Sequence, residues 1–229
     1  MAAGGEVRVE EATRRIELAN GGSIAAIRAK PPTGADAGWT LIYAPGAGSN
    51  VHDPFGKFAS RALARAGVVC WRFQFPFQEA GKRGPDRPNV LEATWLDVAK
   101  HVASETAGRL VVGGRSMGGR IASQVVASGF KVDALALFAY PLHPPGKPEK
   151  RRDDHLARIP APALFCSGSR DAFASREELE ATTSALPAST IHILDHADHG
   201  FNVPKSSGRT REDVWEEAST SLLDWSTSI

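Results

Sequence analysis

Cysteine is scarce. Cys70 and Cys166 are the only two in 229 residues, too few for a disulfide framework or a cysteine-rich metal site. Charge of one sign is missing as well: 27 Lys and Arg against 26 Asp and Glu leave a formal net charge of +1. No charge excess is present to drive binding to a nucleic-acid backbone or an anionic membrane. Long apolar runs are absent. The longest, Ala134 to Leu142, has about half of the roughly 20 residues a membrane span needs. Met1 to Ile16 carries Glu6, Arg8, Glu10, Glu11, Arg14 and Arg15 and no apolar core of signal-peptide length. These absences predict a soluble, cytoplasmic protein without nucleic-acid or membrane partners. The 22 glycines and 15 prolines are too few for a low-complexity chain, and 42% apolar with 23% charged residues is the composition of an ordinary folded domain.

What is present is an alternation. Arg14 to Leu18 and Ser23 to Arg28 flank Asn20-Gly21-Gly22, which supplies the positive φ of a hairpin turn. Short apolar strands are then expected at 39–44, 68–73, 110–113, 132–139, 163–167 and 190–194. Amphipathic helices are expected at 55–66, 90–105, 117–129, 175–186 and 212–225. Nearly all-apolar strands separated by such helices predict one α/β domain over residues 1–229, a mostly parallel twisted sheet with helices on both faces. Residues 1–13 are expected to form a flexible N-terminus. The Pro- and charge-rich segment 141–162 reads as a surface connection, too short for a cap domain. In such sheets ligands bind beyond the carboxyl ends of the strands, so chemistry is sought there.

The strongest local signal is Gly114-Arg115-Ser116-Met117-Gly118-Gly119, placed between an apolar strand and a helix. A serine in G-x-S-x-G at that junction sits on a strained turn that lifts its hydroxyl above the sheet. The bland alternative is a helix N-cap serine. The Met117 N–H at the helix N-terminus faces the same space and can stabilise an oxyanion. A serine needs a base, and the base needs a carboxylate to fix its tautomer. Asp171, after the strand 163–167, and His199, after the strand 190–194, supply both. For Asp171 the alternative is a cap for the helix 175–186. His196 competes with His199, which is preferred because it precedes Gly200-Phe201. Asp195 and Asp198 read as turn formers or histidine neighbours, and His192 as a strand residue. Ala47, in Pro45-Gly46-Ala47-Gly48-Ser49-Asn50, is the expected second oxyanion donor, with Gly48 next. The same turn lacks the Lys-Ser/Thr of a P-loop, and H-E-x-x-H and paired C-x-x-C are absent, so neither cofactor nor metal is expected. Arg115 reads equally as a surface cation or an anchor for a substrate carboxylate. His143 and the basic run Lys147 to Arg152 read as a solvated loop, with a border of the pocket as the alternative. Cys70 and Cys166, inside apolar strands, read as inert buried residues.

The segments Tyr43 to Asn50, Trp71 to Phe77, Gly113 to Arg120, Tyr140 to Glu149 and Asp195 to Phe201 together resemble a family of small α/β-hydrolases. That family is similar to dienelactone hydrolases and includes the hydrolase-like subunit of the non-specific lethal chromatin complex. The resemblance runs from about residue 20 to the C-terminus. It implies an α/β-hydrolase fold with little or no lid, and Ser116, Asp171 and His199 match the triad positions. Dienelactone hydrolases proper use a cysteine nucleophile, and serine at 116 departs from that. The expectation is a cofactor-free serine hydrolase of a small ester or thioester, monomeric or homodimeric. The rival expectation is a non-catalytic interaction module.

Overall fold

Trp39 to Ala44 is buried at all six positions, as a strand covered on both faces must be. In the computed structural model, which describes residues 8–184, 186 and 188–229, it is the third of eight strands in one sheet. The strands are β1 (Glu10–Glu17), β2 (Ser23–Lys30), β3 (Trp39–Ala44), β4 (Val69–Phe73), β5 (Arg109–Arg115), β6 (Ala134–Phe138), β7 (Ala163–Gly168) and β8 (Ser189–Leu194). Their order is β1-β2-β4-β3-β5-β6-β7-β8. The first two pairings are antiparallel and the remaining five parallel.

The helices are α1 (Pro54–Arg65), α2 (Pro76–Glu79), α3 (Pro88–Glu105), α4 (Met117–Ala127), α5 (Arg176–Thr183) and α6 (Arg211–Ser226). One apolar layer gathers Ile42, Val112, Leu135 and Phe165 of the sheet with Trp95 and Val98 of α3 and Ile121 of α4. The other gathers Leu41, Tyr43, Val111 and Phe138 with Phe55 and Leu63 of α1 and Trp215 and Leu222 of α6. Ile42 and Leu41 lie on opposite faces because strand side chains alternate. This is the α/β-hydrolase fold, with the expected helices on both faces. Among the described residues no cap domain covers the carboxyl ends of the strands, and no helix is long and apolar enough to cross a membrane.

Three expectations need revision. β1 starts at Glu10 rather than Arg14, so residues 10–13, expected to be flexible, pair with Ile27 to Lys30; residues 1–7 lie outside the described residues. The helix α2, four residues long, is too short to leave a periodic signature and was not expected. The segment 141–162 is not a plain surface connection. Pro145 to Lys150 are exposed, but Leu142, Leu156 and Ile159 are buried in the core and His155 is buried against Ser123 and Tyr140.

Candidate active site

The bend after β5 follows from what surrounds its glycines. A Cβ on Gly113 would lie 1.8 Å from the Ala136 carbonyl oxygen, and one on Gly114 or Gly118 would lie 2.1 or 2.2 Å from that of Ala44. Only glycine lets β3, β5, β6 and α4 approach this closely. Between them Ser116 is held at φ 51° and ψ −118°, a conformation that L-residues rarely adopt. Its amide donates to the Phe138 carbonyl at 2.9 Å, and Trp95 Nε1 donates to the Gly118 carbonyl at 3.1 Å, bracing the first turn of α4. Ser116 occupies the cap position of α4, yet its hydroxyl makes no capping bond. It points to His199 instead.

Ser116 Oγ lies 2.9 Å from His199 Nε2, and His199 Nδ1 lies 3.0 and 2.8 Å from the two oxygens of Asp171. The three side chains, from the carboxyl ends of β5, β7 and β8, form one chain of hydrogen bonds. In it Ser116 donates to Nε2 and Nδ1–H donates to the carboxylate. The Asp171 carboxylate is fully buried, whereas the His199 side chain is 22% exposed. Asp171 also accepts from the Phe173 amide at 2.8 Å. The capping role considered for it belongs to Ser175, whose hydroxyl and Glu178 form a capping box on α5.

The histidine loop is pinned from several sides. Asp198 accepts from the Gly200 and Asn202 amides at 2.8 and 2.9 Å, so it is a turn former. Phe201 is fully buried and packs edge-on against Phe55, their centroids 5.0 Å apart. Gly168 lets Ala197 cross β7, since a Cβ there would meet the Ala197 carbonyl at 2.2 Å. His196 is exposed, has positive φ and is bound through its amide to Ser169 Oγ, so only one of the two competing histidines reaches the serine. His192 Nε2 meets Glu217 of α6 at 2.8 Å.

The loop 45–50 after β3 lies against the bend; a Cβ on Gly46 would come within 3.6 Å of Ser116 Cβ. Ala47, Gly48, Ser116, Met117 and His199 line one open cavity of about 590 Å³. Among the described residues neither the Ala47 nor the Met117 N–H has an acceptor. Sequence reading missed Gln78, whose Nε2 donates to the Gly46 and Ser49 carbonyls and so ties α2 to this loop. It also missed Phe173, whose ring stacks on the His199 imidazole at 3.9 Å between centroids. Phe173 sits two residues after Asp171, but nothing in a single sequence marks it.

Two further expectations change. His143 is not in a solvated loop: it is buried, with Nε2 within 3.2 Å of Glu178. Although burial alone would lower its pKa, the Pro144 carbonyl and Glu178 raise it above the usual imidazole value. Arg152, from the same basic run, borders the cavity. Arg115 also lines it, with its guanidinium 3.8 Å from the buried Asp53, which caps α1 and accepts from the Tyr43 hydroxyl at 2.7 Å. Burial pushes the Cys70 and Cys166 thiols well above their ordinary pKa, which makes them inert. Among the described residues no three His, Cys, Asp or Glu side chains cluster as metal ligands would.

The fold has many solved relatives. One is an α/β serine hydrolase without lid from Xanthomonas campestris, 18% identical, with a TM-score of 0.73 over 94% of this chain and 95% of that one. The esterase domain of a Rhodothermus marinus protein is 17% identical, with a TM-score of 0.71 over 94% and 97%. A dienelactone hydrolase from Anabaena variabilis is 18% identical, with a TM-score of 0.69 over 94% and 98%. These likenesses concern the fold. A family model described as an alpha/beta hydrolase domain matches residues 37–227, the stretch from β3 to the end of α6. The chain belongs to that alpha/beta hydrolase family.

Proposed function

We propose that the protein is a serine hydrolase that cleaves a small ester or thioester through an acyl-enzyme. The observation that carries this reading is the continuous Asp171–His199–Ser116 hydrogen-bond chain at the edge of an open cavity. His199 Nε2 takes the Ser116 proton as Oγ attacks the carbonyl carbon. The Ala47 and Met117 N–H groups hold the oxyanion that forms. His199 then protonates the leaving oxygen or sulfur, and a water activated by the same imidazole releases the acid. Asp171 keeps the proton on Nδ1, so that Nε2 is the free base, and stabilises the imidazolium.

The strain at Ser116 supports catalysis over a purely structural module, since a module that only binds partners has no need of a serine forced into positive φ. The neighbouring names, an esterase domain and a dienelactone hydrolase, agree with carbonyl-ester chemistry. The two free buried cysteines fit a reducing, cytoplasmic setting. Hydrolysis of p-nitrophenyl acetate by wild type and Ser116→Ala tests the reading. The expected loss is about 10³-fold or more in kcat. Equal rates in the two proteins would remove the mechanism.

A further inference from the structure

The cavity beside Ser116 is lined by three arginines and one aspartate. Arg115 comes from the bend, Arg120 from the first turn of α4, Arg152 from the segment 141–162, and Asp86 from the loop ahead of α3. Two of these charges have a partner among the described residues and two do not. Asp86 faces Lys82 at 3.8 Å. Arg115 faces Asp53 Oδ1 at 3.8 Å, while Tyr43 and Gly56 donate to the other carboxylate oxygen, so Arg115 has its counter-charge. Among the described residues neither Arg120 nor Arg152 has a carboxylate within ion-pair distance. The Nε atoms of Arg115 and Arg120 are buried without any acceptor. Among the described residues the Arg120 guanidinium hydrogen-bonds only Gln124, at 3.3 Å. Burial lowers its pKa, Arg152 lowers it further, and Tyr140 and Glu92 oppose this. Two arginines that share a cavity and repel each other leave a site short of negative charge.

Nor is their placement incidental. Arg152 is carried by a segment fastened at two points. Its own amide donates to the Leu142 carbonyl at 2.8 Å, and three residues on, the buried His155 ring meets Ser123 Oγ of α4 at 2.7 Å. Ser123 is one turn beyond Arg120 on the same helix. The segment thus brings a second cation toward the first, next to a nucleophile. A guanidinium fork matches the paired oxygens of a carboxylate or phosphate, and such bonds strengthen where water is reduced.

We propose that the substrate is an anionic ester, with a carboxylate or phosphate group held by Arg120 and Arg152 while its ester carbonyl lies at Ser116. This rests on the serine-hydrolase reading above but can be tested apart from it. In wild type, kcat/KM is compared within three pairs. These are p-nitrophenyl hemiglutarate against p-nitrophenyl butyrate, 4-acetoxybenzoate against its methyl ester, and 4-acetoxyphenyl phosphate against phenyl acetate. The expected result is a preference of tenfold or more for the anionic member of at least one pair. The winning pair identifies carboxylate or phosphate, and the acyl or the alcohol side. Raising the salt concentration shrinks that preference, as it does for charge-steered binding.

Arg152→Gln, at an exposed position, and Arg120→Gln each reduce the ratio of anionic to neutral kcat/KM at least threefold. Arg120→Lys, which keeps the charge and loses the fork, falls between Arg120→Gln and wild type. Calorimetric titration of Ser116→Ala with each of the three anionic esters reads binding without turnover. The expected weakening is tenfold when Arg152→Gln is added. If wild type hydrolyses no ester while this binding persists, the serine-hydrolase reading fails and the anion site stands. Equal kcat/KM within all three pairs, or a preference that survives both arginine substitutions, overturns the anion site whatever the fate of the nucleophile.

Discussion

At the scale of single residues, the site depends on side chains that are missing as much as on those present. Gly118 has the Ala44 and Pro45 carbonyl oxygens 2.2 and 2.6 Å from where a Cβ would sit, and both are backbone atoms that cannot swing aside. Gly118→Ala is therefore expected to destabilise the fold by about 2–3 kcal/mol and to push the loop that carries Ala47 away from Ser116. Urea unfolding measures the first effect and ester hydrolysis the second; a variant with wild-type stability and rate would contradict this packing. Asp171→Asn keeps the shape of the site but favours the wrong imidazole tautomer. The expected fall in kcat is about 10³–10⁴-fold, with KM little changed. The residues that make the chain of hydrogen bonds were legible because each sits in a local pattern, a glycine-flanked serine or a polar residue just past an apolar strand. Gln78 and Phe173 were not legible. Each acts through a contact with a part of the chain some 26–32 residues away, and no local pattern records such a meeting.

At the scale of elements, the segment 141–162 departs most from its sequence. Its prolines and charges resemble a solvated loop, and the exposed stretch 145–150 is one. The buried Leu142, His155, Leu156 and Ile159 turn the rest into a strap against α4. Its apolar residues are too sparse for helix or strand periodicity, so the burial shows only once α4 is in place. The strap carries a pH dependence. Burial, with Arg120 and Arg158 nearby, lowers the His155 pKa to about 4 from an ordinary 6.5. Between those values the unfolded chain binds a proton that the folded protein resists, so stability falls as pH drops from 6.5 toward 4 and is unaffected by this group above 6.5. Allowing for residual solvent, the loss is on the order of 2 kcal/mol. His155→Gln is expected to flatten the pH dependence of the urea midpoint in this window; an unchanged slope would show that His155 titrates normally. At the other end of the site, Asp53 caps α1 and meets both Tyr43 and Arg115. Asp53→Ala is expected to lower stability by about 1–3 kcal/mol, because it removes a cap and leaves a buried hydroxyl without its acceptor.

At the scale of the whole molecule, six of the eight strands and five of the six α-helices among the described residues could be read from apolar spacing, and β1 and β2 from the Asn20-Gly21-Gly22 turn between them. The strand order could not. Nothing local says that β3 lies between β4 and β5, or that β2 meets β4 antiparallel. Those pairings follow from crossover geometry and from how the two apolar layers fill. The antiparallel edge also holds β1, in which only Ile16 is fully buried; a strand so exposed gives little periodic signal. Cys70 and Cys166 lie in the sheet interior, in β4 and β7, and report on the integrity of the whole. Both thiols are expected to stay unreactive toward a disulfide reagent in the native protein and to react together as urea crosses the unfolding transition. Rapid labelling of either thiol in native buffer would contradict the packing of that part of the sheet. All of this architecture serves to bring the ends of β5, β7 and β8 to one place. Fluorophosphonate labelling followed by peptide mass spectrometry tests that convergence most directly. One adduct is expected, on Ser116, lost in Ser116→Ala, slowed at least about 100-fold in His199→Ala and unaffected in His196→Ala. An unlabelled wild type, an adduct on another residue, or a loss confined to His196→Ala would contradict it.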